Sequence, residues 1–329
     1  MDKIFAVAPM MSITDRHFRV FMRHVFPNSQ LYTEMISTGA IVHGERTETF
    51  EFDPLEHPIG VQLGGSDPDE LAFCARLAQE RGFDEINLNI GCPSDRVQSA
   101  RFGACLMVEP DLVARCVERI RDITDLPVTI KTRIGIDEHD SYEFLADFIT
   151  KTAEAGCSTF FIHARKAWLK GLSPRQNRNI PPLDYHRVYR IKQDFPHLRI
   201  VLNGGIRSLN EIRDHLEHVD GVMIGREASR NPWLMKEISD FYFSAPSQVR
   251  GNEREDIVRI YMQYIEEQLD RGVALKRMTR HLMGIYHGQK GARSWRRMLC
   301  EDGPVPGAGL EVVESALLQV MRTQSFQSA

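Results

Sequence analysis

A thiol set at a stiff corner is the first candidate for chemistry in this chain. The run Glu85-Ile86-Asn87-Leu88-Asn89-Ile90 reads as a strand and stops at Gly91-Cys92-Pro93, after which the sequence turns polar. Glycine admits unusual backbone angles, and proline fixes φ and halts a strand, so Cys92 can be aimed into a cleft. The same stretch equally describes a packed cysteine, since free Cys is among the most buried residue types. Context has to decide. Gln62, Lys131, Arg133 and His163 also close strand-like runs, which puts an amide, two cations and an imidazole in comparable positions.

The elements that must hold these groups alternate. Short apolar, β-branched runs occur at Phe5–Met10, Leu31–Ile36, Ile59–Leu63, Glu85–Leu88, Val128–Thr132, Thr159–His163, Ile200–Asn203 and Gly221–Ile224. Between them lie helix-like stretches such as Asp67–Glu80 and Glu109–Ile123, whose apolar residues return at three- and four-residue spacing. Eight such alternations predict an α/β fold, an N-terminal TIM (β/α)8 barrel; a doubly wound sheet can be cut from the same pattern, but the count and the polar residues favour the barrel. Those polar residues fall at strand ends, the rim where barrel active sites are built. Loops after the seventh and eighth strands of such barrels hold phosphates. Asn203-Gly204-Gly205-Ile206 and Gly225-Arg226 stand there. Gln62 can hydrogen-bond a flat heterocycle while Lys131 places positive charge near it, the usual way to stabilise an anionic reduced flavin. An aldolase can use such a lysine for a Schiff base, but has no need of Cys92 and His163 in this arrangement.

With 329 residues the chain exceeds what one core normally supports, which predicts a second, smaller domain. The pattern changes near Phe243–Gln248, and Glu255–Leu269, Leu275–Tyr286, Ala292–Cys300 and Leu310–Val320 read as helices. The expected division is a catalytic barrel over 1–243 and an all-helical domain over 244–329, with a frayed end from Thr323. Six scattered cysteines, without a Cys-x-x-Cys pair or a Cys/His cluster, argue against a metal site and a disulfide scaffold. The expectation is a cytoplasmic monomer with no membrane partner, since no signal-like or membrane-spanning run is present.

Taken together, Ala8-Pro9-Met10, Tyr32-Thr33-Glu34-Met35, Val61-Gln62-Leu63, Leu88–Pro93, Gly103-Ala104, Val128–Arg133, Ile162–Arg165, Asn203-Gly204-Gly205 and Ile224-Gly225-Arg226 resemble the tRNA-dihydrouridine synthases. Thr38–Gly44, Ile180–Tyr185 and Gly291–Arg297 resemble the bacterial A type of that family. The resemblance implies an FMN enzyme that reduces uridines 20 and 20a of the tRNA D-loop with NADPH. It implies FMN contacts from Pro9, Met10, Met11, Gln62, Lys131, His163, Asn203, Gly204, Gly205, Gly225 and Arg226. It places Asn89, Lys131, Arg133 and His163 around the target uracil and makes Cys92 the general acid, giving a proton to C5 while hydride passes from flavin N5 to C6. The chemistry is coherent: hydride addition builds enolate charge that donors can stabilise, and a thiol with an ordinary pKa of about 8.5 still holds its proton at neutral pH.

Net charge is −4, so RNA affinity must come from local patches. Residues 163–178 carry five Lys/Arg and no acid, and residues 276–300 carry seven and no acid. Such runs are commonly solvated helix faces; two together can grip an RNA backbone. The tRNA contacts expected are Asp95, Arg175, Asn177, Arg178, Arg293, Arg296 and Arg297. Trp168 and Trp295 offer stacking faces, although the usual burial of Trp favours Trp295 as the buried anchor of its own helix. A uridine must leave its stack to reach a barrel mouth. The rival readings are a small-molecule flavin reductase of the dihydroorotate dehydrogenase or ene-reductase kind, which the basic tail disfavours, and a non-enzymatic RNA-binding barrel, which the Cys92/Lys131/His163 set disfavours.

Overall fold

The computed structural model describes residues 2–44, 50–243 and 253–325. The first compact unit comprises residues up to Ser12 and Gln30–Gly225. Its strands are β1 (Ile4–Val7), β2 (Leu31–Tyr32), β3 (Ile36–Ser37), β4 (Ile59–Gly64), β5 (Glu85–Ile90), β6 (Val128–Arg133), β7 (Thr159–His163), β8 (Arg199–Asn203) and β9 (Gly221–Ile224). All pairings are parallel, in the order β1-β9-β8-β7-β6-β5-β4-β2, with β3 added beside the end of β4. The ring is closed by a parallel bridge from Ala6 to Gln30, whose amide donates to the Phe5 carbonyl at 2.8 Å. This is the expected eight-stranded barrel. Two expected strands differ in detail: the first stops at Val7, before Pro9, and Leu31–Ile36 is divided into β2 and β3.

The helices between strands form for local reasons. Pro68–Arg81 starts behind Asp67, whose carboxylate accepts from the amides of Asp69 and Glu70, and Pro68 occupies the first turn, where its missing N–H costs nothing. Along that helix Leu71, Ala72, Cys74, Ala75 and Ala78 are buried. Inside the barrel Ala6, Ala8, Tyr32, Phe161, Val201 and Met223 form an apolar cluster. Polar residues are also enclosed: Gln62, Asn87 and Thr129 are buried and hydrogen-bonded to one another in sequence.

The second unit comprises Ile13–Ser29 and the chain from Arg226 onward. The helix Arg16–Val25, between the first two strands in sequence, therefore groups with the helical part. The expected boundary at 243/244 touches residues 244–252, which lie outside the described residues. Helices run over Arg254–Asp270, Lys276–Leu282, Ala292–Glu301 and Leu310–Ser325. The second is shorter than the expected Leu275–Tyr286. The last extends through Ser325, and residues 326–329 lie outside the described residues. Trp295 is fully buried, donates to the Leu282 carbonyl at 2.9 Å and meets Tyr286 edge-on, so it is an anchor of the helical unit and not a stacking face. Asp15 caps Arg16–Val25 and lies 2.9 Å from His281 Nε2, and His17 Nδ1 lies 2.8 Å from the Tyr264 hydroxyl. Burial pushes His17 down to about 4, which keeps it neutral near pH 7. Among the described residues no helix is long and apolar enough to cross a membrane.

Candidate active site at the barrel rim

All strands being parallel, the residues that close them share one rim. Cys92 lies just past β5, half-buried, with its backbone held on both sides. Its amide donates to Asn89 Oδ1 at 2.9 Å, and its carbonyl accepts from the Ala104 amide at 2.9 Å. The thiol donates to Ser94 Oγ at 3.5 Å. Cys92 is therefore not a fully packed core cysteine, and its backbone is fixed on both sides. Burial pushes the thiols of Cys74, Cys116 and Cys157 up to about 12 and raises that of Cys105 as well.

Register brings the remaining groups together. Asn89 pairs with Lys131 across β5 and β6, Arg133 with His163 across β6 and β7, and His163 with Asn203 across β7 and β8. Lys131 Nζ donates to Asn203 Oδ1 at 3.2 Å, and Asn203 Nδ2 donates to the Met223 carbonyl at 2.7 Å, which fixes that amide at both ends. Burial, reinforced by repulsion from Arg133 and partly offset by Cys92, pushes the Lys131 ammonium down to about 7. Arg133 is pushed down to about 10 by burial and stays charged near neutrality. Its guanidinium donates to the carbonyls of Gly91 at 2.7 Å, Lys166 at 3.2 Å and Asn177 at 3.3 Å. Arg133 therefore ties the Cys92 loop to the 163–178 loop as well as supplying charge.

The turn after β8 is built for close approach. Gly204 and Gly205 take φ of 117° and 79°; a Cβ on Gly204 would stand 2.6 Å from the His163 ring, and one on Gly205 would stand 2.5 Å from the Tyr185 hydroxyl. Tyr185 donates to the Gly204 carbonyl at 2.9 Å. Successive backbone N–H groups in such a tight turn can face an anion, and Gly225 follows β9 directly, with Arg226 opening the helix Arg226–Arg230. Pro9 and Met10 are half-buried just past β1, and Met11 is exposed. A glycine turn with no room for side chains, a buried amide at Gln62 and a lysine short of a counter-ion form a donor set that fits an anionic phosphate and a flat heterocycle.

The residues expected to contact tRNA divide. Asp95, Arg175 and Arg178 are exposed, as are Arg293, Arg296 and Arg297 on the outer face of the Trp295 helix. Asn177 is a correction to the sequence reading. It is fully buried, its amide donates to the carbonyls of Trp168 at 2.8 Å and Leu172 at 3.1 Å, and its oxygen accepts from the Trp168 amide at 2.8 Å. Its side chain is spent on shaping the loop and is not on the surface. Two of the five cations in that loop are also engaged locally: Arg165 with the Asn179 and Pro181 carbonyls, and Lys166 with Asp140 at 2.8 Å while lying over the Trp168 ring.

Fold and rim together define a (β/α)8-barrel protein that carries a two-glycine turn after β8 and a half-buried cysteine after β5. In fold it is similar to morphinone reductase solved with tetrahydroNAD, with a TM-score of 0.53 at 11% identity over 72% of this chain and 87% of that one. It is likewise similar to a 2-naphthoyl-CoA reductase solved with 2-naphthoyl-CoA, with a TM-score of 0.54 at 10% identity over 72% of this chain and 50% of that one. Residues 6–320 match the family described as dihydrouridine synthase (Dus), and the chain belongs to that family. It is 57% identical to a tRNA-dihydrouridine(20/20a) synthase of Vibrio cholerae, covering 96% of both chains. It is 53% identical to one of Shewanella oneidensis, covering 97% of this chain and 95% of that one, and 55% identical to one of Pasteurella multocida, covering 95% of each.

Proposed function

We propose that this protein reduces uridines 20 and 20a in the D-loop of tRNA to 5,6-dihydrouridine, with FMN as its flavin, NADPH as reductant and Cys92 as proton donor. As a dihydrouridine synthase it is a flavin-dependent oxidoreductase whose substrate is tRNA. The observation that carries the finer reading is the doubly anchored Cys92 on the same rim as the Gly204-Gly205 turn. When bound, FMN supplies the hydride that adds to uracil C6.

The chain's own residues do the rest. Gly204, Gly205, Gly225 and Arg226 receive the phosphate, and Gln62, Asn203 and His163 bind the polar parts of the ring system along which Pro9–Met11 lie. Lys131, pushed down to about 7 by burial, is only partly protonated near pH 7 and takes up the remaining fraction of a proton when an anion arrives beside it, so it answers the negative charge of the reduced ring. Asn89, His163 and Arg133 face the uracil, where hydrogen bonds and fixed charge stabilise the enolate as it forms. Cys92 then gives its proton to C5. Arg175, Arg178, Arg293, Arg296 and Arg297 hold the phosphate backbone, and Asp95 offers an acceptor on the rim. We infer a cytoplasmic enzyme acting as a monomer.

The test is a pair of half-reactions followed without oxygen. NADPH should bleach the flavin absorbance of the purified protein, and unmodified tRNA should restore it. Bleaching without restoration by tRNA, but with restoration by a small enone or orotate, would return the small-molecule reductase reading.

A further inference from the structure

The strand β5 carries an inverted pattern: Ile86, Leu88 and Ile90 are buried on one face, and Glu85, Asn87 and Asn89 share the other. Those three polar residues, with Gln62 and Thr129, form one unbroken run of hydrogen bonds down the barrel. Asn89 Oδ1 accepts from the Gly91 amide at 3.1 Å and the Cys92 amide at 2.9 Å. Asn89 Nδ2 donates to Gln62 Oε1 at 2.9 Å, Gln62 Nε2 to Asn87 Oδ1 at 2.8 Å, and Asn87 Nδ2 to Thr129 Oγ1 at 2.8 Å. The Thr129 hydroxyl donates to Glu85 Oε1 at 2.5 Å, and the Tyr32 hydroxyl donates to the same oxygen at 2.7 Å.

The direction of every link follows from its ends. At the top two backbone N–H groups can only donate, so Asn89 must present its oxygen to the loop and its NH2 to Gln62. At the bottom Glu85 Oε1 accepts from two hydroxyls, so Thr129 must use its proton there and accept from Asn87. Each amide between has one orientation that satisfies both neighbours. Burial pushes Glu85 up to about 7, and a proton on its other oxygen leaves Oε1 an acceptor, so the direction survives that titration. The floor is shaped for the contact, because a Cβ on Gly60 would stand 2.7 Å from the Tyr32 ring.

We propose that Glu85 and Thr129 are positioning residues for the proton donor: through Asn87, Gln62 and Asn89 they fix the backbone amide of Cys92 and so the direction in which its thiol is held. The inference deepens the proposed role of Cys92 and rests on it for its catalytic meaning. The relay itself is independent of RNA. A fully satisfied buried polar network specifies one arrangement, and a broken one leaves its members free to flip.

The experiment reads the rate at which iodoacetamide alkylates Cys92 in the flavin-loaded protein without tRNA, followed on the Cys92 peptide by mass spectrometry. Thr129→Val keeps the volume and removes the hydroxyl, so Asn87 Nδ2 loses its acceptor and the amides above are released. Alkylation should rise about tenfold, the effect of one net hydrogen bond on the loop. Thr129→Ser should restore the wild-type rate. In an Asn89→Ala background Thr129→Val should add nothing, because the run is already cut above it; two independent structural effects would multiply. Asn87→Ala cuts the middle link and serves if Thr129→Val does not fold. A wild-type rate in the folded variant, failure of serine to rescue, or multiplication in the double variant each overturns the relay. Failure of Cys92→Ala to impair tRNA reduction, with the alkylation results as expected, overturns only the role of Cys92.

Discussion

Lys131 is an ammonium that the protein holds at a cost until an anion arrives, and replacing it should therefore stabilise the flavin-free protein. The fall from the ordinary 10.5 to about 7 corresponds to about 5 kcal/mol of disfavour for the charged form, at about 1.4 kcal/mol per tenfold change in equilibrium. Lys131→Met removes that disfavour and also one hydrogen bond to Asn203, worth about 1 kcal/mol. The net gain is about 4 kcal/mol. The sign depends on pH. Below about 7 the lysine is charged in the folded and unfolded chain alike, so the full cost is felt. Between about 7 and 10.5 the unfolded chain keeps a proton that the folded one has lost, so wild-type stability rises with pH. Above 10.5 both forms are neutral and the variant keeps no electrostatic advantage. Thermal melts of the flavin-free proteins across that range are the assay. At about 2 °C per kcal/mol for a domain of this size, Lys131→Met should melt about 8 °C higher than wild type at low pH, and the gap should close on the alkaline side. An unchanged melting temperature at pH 6, or a gain that does not vary with pH, would refute the reasoning.

Other substitutions separate the parts of the site. Cys92→Ala should leave flavin binding and NADPH-driven bleaching intact and lower tRNA reduction by at least about a hundredfold, the usual contribution of a general acid; Cys105→Ala, whose half-buried thiol donates to the Phe102 carbonyl at 3.2 Å, should be near wild type in the same turnover assay. Tyr185→Phe removes the hydroxyl that donates to the Gly204 carbonyl, and fluorescence titration should show FMN affinity falling about fivefold with riboflavin affinity unchanged. Arg293→Ala combined with Arg296→Ala should weaken tRNA binding and reduce the slope of log affinity against log salt by about 1.5, while NADPH oxidation by the free enzyme stays the same.

Much of this architecture was legible in the residues. The strands announced themselves through β-branched runs, and Gly204-Gly205 marked the rim because both residues take positive φ; Gly91 keeps an ordinary φ, so the angle expected there is absent and the strand simply stops ahead of Pro93. What escaped was the polar floor. Glu85, Asn87 and Thr129 look like ordinary strand residues, and only closure of the barrel turns them inward toward Gln62 and Tyr32; the strict polar alternation along β5 was the available signal. Asn177 was misread for the opposite reason. A polar residue in a basic loop suggests a solvent-facing contact, but its amide is needed to satisfy the carbonyls of Trp168 and Leu172 inside the loop. The cluster of Asp15, His17 and His281 joins residues far apart in sequence, and no local pattern foretells it.

The most direct measurement is mass mapping of D-loop fragments from tRNA of cells lacking this chain, before and after its return on a plasmid. The account predicts that uridines 20 and 20a lose two mass units in the absence of the protein and regain them with the wild-type chain but not with Cys92→Ala. Fragments of unchanged mass in the deleted cells, or full restoration by Cys92→Ala, would contradict it.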